Sequence, residues 1–152
     1  MPRNVLIQPS YGNAQARRNW AATLHQEVSF QEGALRTALT DDQYASLVEL
    51  HPSGKARFWA STAVQDRKMD ELATGDVVLF TASSHALGVG EVGASFRNAA
   101  AGNTLWPPHP DNGAYQNVYS LINFQDTRIP YDDLNKLTSR NGSTARDNYM
   151  GA

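Results

Sequence analysis

The side chains best equipped for chemistry in this chain are scattered rather than clustered. The four histidines, His25, His51, His85 and His109, show no spacing that would place two on one metal ion. The paired carboxylates Asp41-Asp42, Asp70-Glu71 and Asp132-Asp133 are adjacent in sequence. They fall in or beside expected helix ends, where a favourable charge–dipole interaction accounts for them. Ser83-Ser84-His85 sets hydroxyls beside an imidazole but lacks the elbow that exposes a nucleophile. Gly88-Val89-Gly90-Glu91-Val92-Gly93 matches GxGxxG in letters, yet it is not a strand-to-helix turn. With no cysteine in the chain, thiolate zinc sites, disulfides and a Cys nucleophile are excluded.

Three other features do not serve a core in an obvious way. Period-2 alternation along Lys55–Ser61 puts Ala56, Phe58 and Ala60 on one face and Arg57, Trp59 and Ser61 on the other. Either a helix covers the second face, or Trp59 waits there for a ligand. The stretch 97–114 is rich in Asn, Ala, Gly and Pro and exceeds the ~12–15 residues at which loops become uncommon. Within it, Leu105-Trp106-Pro107-Pro108 stiffens a second tryptophan, which either plugs the fold or is held out for contact. Gly88, Gly90 and Gly93 mark a strand that is bent or bulged, or one approached closely by a ligand.

Taken together these features describe a pocket. Trp59 and Trp106 are its expected walls, with Phe80 from a central strand. Ser61, Thr62, Ser83 and Ser84 are short polar groups near its mouth, Asp66 lies one turn into the following helix, and Tyr11 and Asn13 come from the N-terminal turn. A flat π-system stacked on tryptophan and hydrogen-bonded along its edge is how proteins hold an extruded nucleobase. Such a pocket needs neither metal nor cofactor.

The elements that must position these residues are short. Asn4–Gln8 reads as a strand, closed by Pro9-Ser10-Tyr11-Gly12, and Asn13 as the N-cap of a helix to about Leu24 with Ala16, Trp20 and Leu24 on one stripe. Thr40 to Gln43 is a capping box opening a helix with Tyr44, Leu47 and Val48 inward, ending before His51-Pro52. Thr62 to Gln65 reads as a second one, with Val64, Met69 and Leu72 inward and Gly75 as the stop. Val77–Ala82, Leu87–Gly93 and Gln116–Phe124 read as strands, and Pro130 as the first residue of a last helix through Leu134 and Leu137.

The chain's 152 residues leave room for one domain, expected over 1–137, with a polar tail or linker over 138–152. No apolar run is long enough to span a membrane and no signal-peptide core is evident, so the expected address is cytoplasmic. Thirteen Lys and Arg against fifteen Asp and Glu give a net charge of −2, which disfavours bulk attraction to a polyanion. Nucleic-acid binding must then rest on one pocket and a local basic rim with a shallow salt dependence. The rim candidates are Arg17, Arg18, Lys55, Arg57, Arg97, Arg140 and Arg146. Arg97-Asn98 opens the long loop, where it is placed to fill the gap left by a flipped base.

Phe58-Trp59-Ala60-Ser61-Thr62, followed by Asp66-Arg67-Lys68-Met69 and Leu72, resembles the tryptophan-bearing segment of YTH domains. Gly75-Asp76-Val77-Val78-Leu79-Phe80 with Gly88-Val89-Gly90-Glu91-Val92 resembles the core of EVE domains. Both are PUA-like modified-base readers. The N-terminal segment Ile7–Asn13, Leu105-Trp106 and Val118–Leu121 are similar to the front half of bacterial modification-dependent endonucleases, where an HNH nuclease follows such a reader. The resemblance implies an α+β fold, a small open PUA-like β-barrel of about five or six strands with short helices outside. It implies a non-catalytic domain that flips a methylated base of double-stranded DNA into an aromatic cage of Trp59 and Trp106, with an HNH nuclease in a fused or partner chain. Asp66 stands where YTH domains have Asn. A carboxylate accepts well from the cytosine amino group, which favours 5-methylcytosine over N6-methyladenine. Two readings remain beside it: a reader of N6-methyladenine or RNA, and an ASCH-like nucleoside hydrolase, for which Lys55 with Asp66 is the available pair.

Overall fold

The computed structural model describes residues 4–82 and 84–130. Ser83, Arg140, Arg146, the expected helix through Leu134 and Leu137 and the 138–152 tail lie outside the described residues.

The chain opens with β1 (Val5–Pro9) and α1 (Ala14–Thr23). Asn13 caps α1 as expected, its Oδ1 accepting from Ala16 N–H at 2.8 Å. Trp20 and Leu24 bury the helix's apolar stripe. A two-residue β2 (Val28–Ser29) and α2 (Gly33–Ala38) follow, both too short to carry a periodic signal. The capping box at Thr40 and Gln43 forms in full and starts α3 (Asp41–Leu50), though Val48, expected inward, is exposed.

The box expected at Thr62 does not form. After β3 (Lys55–Ser61) the chain makes a 3-10 turn, Ala63–Gln65, then a four-residue α4 (Asp66–Met69), and the Thr62 side chain makes no cap bond. Val64 is therefore 69% exposed, while Met69 is buried. Gly75 lies well beyond α4 and serves a different turn: at φ +94° its N–H reaches Val92 O at 2.8 Å and leads into β4 (Val77–Ala82). β5 (His85–Arg97) and β6 (Asn117–Pro130) complete the sheet. Pro130, expected as the first residue of a helix, is the last residue of β6 and pairs with His85. Between β5 and β6 the expected long loop contains α5 (Ala99–Leu105), built from alanines and capped by Asn98.

The six strands run in the order β1-β4-β5-β6-β3-β2, with β1 parallel to β4 and the other pairs antiparallel. The sheet curls without closing. Three register irregularities in β5 against β6, and one between Phe80 and Thr81, supply the bending. Both faces of β3 are covered: Phe58 and Trp59 are both buried. The glycines of β5 make this packing possible. A Cβ on Gly88 would lie 2.8 Å from Phe124 and 3.2 Å from Trp20, and one on Gly90 would lie 3.3 Å from Leu121. The pattern read from sequence as a bend or a ligand approach is thus a bulged strand that gives way to aromatic rings. Trp20 stands at the centre, edge-on to Tyr11, His25, Trp59, Phe80 and Phe124 at 5.3 to 6.5 Å between ring centres. Among the described residues no helix is long and apolar enough to cross a membrane.

Candidate binding pocket

The curl brings the ends of β1 and β3, first and fifth in the sheet order, to one cavity of about 220 Å³. Gln8 and Pro9 at the end of β1 form one wall. Trp59 to Thr62 at the end of β3, with Gln65, form another. Asn13, Gln15, Ala16 and Asn19 of α1 close one side, and Trp106, His109, Asn112 and Tyr115 of the α5–β6 connection close the last.

Trp59 and Trp106 do meet here, but not as two parallel walls. Their ring centres are 4.6 Å apart at 70°. A base sandwiched between rings needs about 7–8 Å, twice the ordinary carbon contact of 3.5–4.0 Å. Trp106 is 2% exposed and also abuts Tyr115 at 5.1 Å, while Trp59 is backed by Phe80 at 5.6 Å. The tryptophans form an L-shaped corner of the cavity, braced from behind. Phe80 is fully buried and supports Trp59 instead of lining the cavity.

The polar groups of the cavity carry the main signal. Gln8 Oε1, Ser61 Oγ and Trp106 Nε1 are buried without any hydrogen-bond partner. Gln8 Nε2 donates to Pro9 O at 3.3 Å, which leaves Oε1 as the unspent acceptor. His109 Nδ1 accepts from the N–H groups of Asp111 and Asn112, both at 3.1 Å, so the neutral ring carries its proton on Nε2. Gln15 Nε2 donates to Tyr115 Oη at 3.3 Å. Burial pushes the Tyr115 phenol above its usual value of 10.0, against an opposing hydrogen bond with Asn19, so it stays neutral. Asn13 spends its Oδ1 on the helix cap.

Several residues expected at the site do structural work elsewhere. Asp66 accepts from Asn117 Nδ2 at 2.6 Å and from Gln116 Nε2 at 3.1 and 3.2 Å, and meets Arg97 Nε at 3.4 Å. The Asn117 bond foremost, aided by Gln116 and Arg97, holds its carboxyl below the usual 3.8. Asp66 thus ties α4 to the start of β6 and does not line the cavity. Arg97 is taken up by Asn117 Oδ1 at 2.9 Å, Asp66 O at 3.1 Å and Asp70 Oδ1 at 2.8 Å. Asn98 caps α5 and donates to Ala38 O and Gln43 Oε1, both at 2.8 Å. In the free chain these bonds anchor both residues at the start of α5. Arg57 donates Nε to Leu24 O at 2.7 Å and lies over the Phe124 ring, a brace between α1 and β6. Tyr11 packs its edge on Trp20 and Ser84 turns the β4–β5 hairpin at φ +61°; neither lines the cavity. Arg17 and Arg18 are exposed on α1, and Lys55 is exposed at the far end of β3. Six strand steps of about 3.3 Å separate Lys55 from Ser61, roughly 20 Å.

Gln8, Gln15, Asn19, Gln65, His109, Asn112 and Tyr115 line the cavity and were not singled out by sequence. Gln8 had a readable signal: it is the polar residue ending the apolar run Val5-Leu6-Ile7. A larger cleft of about 570 Å³ lies between α3 and β5, lined by Asp42, Glu49, Leu50, Leu72 and Phe96 among others. None of its lining residues holds a buried polar atom without a partner, so it lacks the signature of an unfilled site. Among the described residues no group of three or more His, Asp or Glu is placed to hold a metal ion.

No family model matches this sequence, and no curated protein matches it. Among solved structures the chain is similar to the N-terminal domain of Thermococcus gammatolerans McrB bound to m5C DNA, with a TM-score of 0.60 and 14% identity. The likeness covers 93% of this chain and 84% of that one. At that identity the shared property is the fold, an α+β arrangement of a curled, open six-stranded sheet with short helices packed outside, as expected.

Proposed function

We propose that this chain is a reader of methylated DNA that takes a flipped base, 5-methylcytosine foremost, into the cavity between β1, α1, β3 and the 106–115 segment. The observation that carries the reading is one cavity whose lining includes Gln8, Ser61 and Trp106, each with a buried polar atom that has no partner. Each unmet buried polar group costs about 1–3 kcal/mol, and native folds keep few of them. Seven such atoms occur among the described residues, and three of them belong to the lining of this one cavity, as expected of a site that a polar ligand completes. At about 220 Å³ it is smaller than the roughly 300–1,000 Å³ of drug-sized ligand pockets, which suits a single planar ring. A base inside a duplex cannot reach such a cavity, so it must be extruded, at a few kcal/mol. One stacking contact at about 1–3 kcal/mol and hydrogen bonds at about 0.5–1.5 kcal/mol each offset that.

The ligand of the structural neighbour, m5C DNA, supports 5-methylcytosine. Asp66 no longer does, because its oxygens are occupied outside the cavity. A methyl group adds about 0.8 kcal/mol, a factor of about four, and fit raises discrimination to tens-fold. Arg17 and Arg18, exposed on the helix that lines the cavity, supply the phosphate contacts. The lining residues include no carboxylate and no lysine, which speaks against the hydrolase reading. The domain then marks DNA for cleavage by an HNH nuclease in a fused or partner chain.

The test is fluorescence anisotropy with plain, 5-methylcytosine and N6-methyladenine duplexes and a matched RNA, at two or more salt concentrations. The expected result is tens-fold tighter binding of the 5-methylcytosine duplex, with a log–log salt slope of about −2 for two phosphate contacts. Equal affinity for plain and methylated duplex overturns the proposal.

A further inference from the structure

The unpartnered atoms of the cavity differ in what they can do. Gln8 Oε1 is an acceptor, because its amide nitrogen is spent on Pro9 O. Trp106 Nε1 is a donor only, and Ser61 Oγ can be either. Their placement is also ordered. Ser61 shares a face of β3 with Trp59, and Trp106 packs on Trp59, so both donors gather around the Trp59 ring. Gln8 lines the same cavity from β1, a strand that is not a neighbour of β3 in the sheet. A ligand that fills the cavity thus meets one acceptor from β1 and two donors gathered around Trp59.

Resting on the reading above, we infer that the cavity reads the amino–imino–carbonyl edge of a cytosine ring. Gln8 Oε1 accepts from the exocyclic amino group, and Trp106 Nε1 and Ser61 Oγ donate to the ring nitrogen and the carbonyl oxygen. Gln8 is then a specificity-determining residue. Cytosine engages all three groups in that order. Adenine offers an amino group beside a ring nitrogen but no carbonyl, and leaves one donor unmet. Thymine carries a donor between two acceptors, which requires the protein's acceptor in the middle rather than at one end. Thymine is the sharper comparison, because it carries the same ring methyl as 5-methylcytosine and has nearly the same shape. Stacking and methyl fit cannot separate the two; only the hydrogen-bonding edge can.

The experiment measures affinity for three duplexes of one sequence carrying 5-methylcytosine opposite G, thymine opposite G, or unmodified cytosine opposite G. The protein is compared with Gln8→Ala and Gln8→Glu, the latter keeping an acceptor at neutral pH. A mismatched thymine is easier to extrude than a paired base, so the comparison is biased against the inference. The native chain is expected to bind the 5-methylcytosine duplex about tenfold or more tightly than the thymine mismatch. Gln8→Ala brings the two affinities within about threefold of each other, and Gln8→Glu restores the preference. If the native chain binds both methyl-bearing duplexes equally and above unmodified cytosine, the edge-reading inference fails and the reader stands. If Gln8→Ala keeps the preference for 5-methylcytosine, the assignment of Gln8 fails. If all three duplexes bind alike, the reader itself fails.

Discussion

Trp106→Phe separates the work Trp106 does for the fold from the work it does for a ligand. In the free protein the indole is 2% exposed, packs on Trp59 and Tyr115, and buries an N–H with no partner. Phenylalanine keeps a ring in the corner but removes about three ring atoms, a loss of about 2 kcal/mol at roughly 0.8 kcal/mol per buried carbon. It also removes the unmet donor, which relieves about 1–3 kcal/mol of desolvation penalty. The two effects oppose each other, so stability is expected to change by less than about 2 kcal/mol. At this chain length that is a Tm shift of roughly 2–4 °C per kcal/mol. Affinity has no such compensation. The ligand acceptor that Nε1 served is left buried and unpaired, at about 1–3 kcal/mol, or roughly 5- to 150-fold in Kd. Trp106→Ala does not make this distinction, because emptying the corner costs about 3–5 kcal/mol of stability by itself. Urea unfolding and anisotropy with the 5-methylcytosine duplex, run on the same preparation, read the two quantities. Loss of more than about 3 kcal/mol of stability with unchanged affinity would show that the nitrogen serves the fold, and would refute the reasoning.

Two further predictions concern the β5–β6 wall. A Cβ on Gly93 would lie 2.5 Å from Ser120 Oγ and 3.1 Å from His51 Nε2, while Ser120, fully buried, bonds Ala94 N–H at 2.9 Å and His51 at 2.8 Å. Gly93→Ala is expected to cost about 2–4 kcal/mol through overpacking and broken hydrogen bonds. A double-mutant cycle with Ser120→Ala in urea should show coupling of at least about 1 kcal/mol, and additivity refutes the clash. His51 is held below the usual 6.5 by burial, which outweighs the nearby Glu27. The fold therefore prefers the neutral ring. Its contribution is fully present above pH 6.5 and is lost as pH falls through the lowered value, because the unfolded chain binds the proton first. Unfolding midpoints against pH should fall on acidification from 6.5, and His51→Gln should flatten that segment.

The legible parts of the molecule were those set by near neighbours in the chain. Asn13 as a cap, the Thr40–Gln43 capping box, the β3 alternation and the β4 run each depend on a few adjacent residues, and all form where expected. Trp59, Trp106, Ser61, Thr62 and Asn13 were read as pocket residues, and the cavity gathers all five. Where similar local signals failed, a distant partner prevailed. Thr62 begins a capping pattern, but Asn117 Nδ2 binds its carbonyl at 3.0 Å and Asp66 at 2.6 Å, which draws the chain into a 3-10 turn. Pro130 has the fixed φ that suits a helix start, yet it pairs with His85 as the last residue of β6. α5 went unread because seven residues of Ala, Gly, Asn, Thr and Leu have little amphipathic pattern, and its stability comes from the Asn98 cap and the packing beneath it.

What the sequence by itself determined was a cysteine-free chain with a net charge of −2, its main strands, and two tryptophans at odds with a simple core. Those observations were enough to exclude thiolate chemistry and to direct attention to one aromatic pocket. Only the tertiary structure decided how the pocket is made. Curling of the sheet brings Gln8 and Ser61, 53 positions apart in sequence, to one cavity and turns the two tryptophans edge to face. It also spends Asp66 and Arg97 on each other and on Asn117, which no local pattern could reveal. The physical reason is that helix caps and strand alternation are satisfied within a few residues. Whether a buried polar atom finds a partner depends on every strand that packs around it.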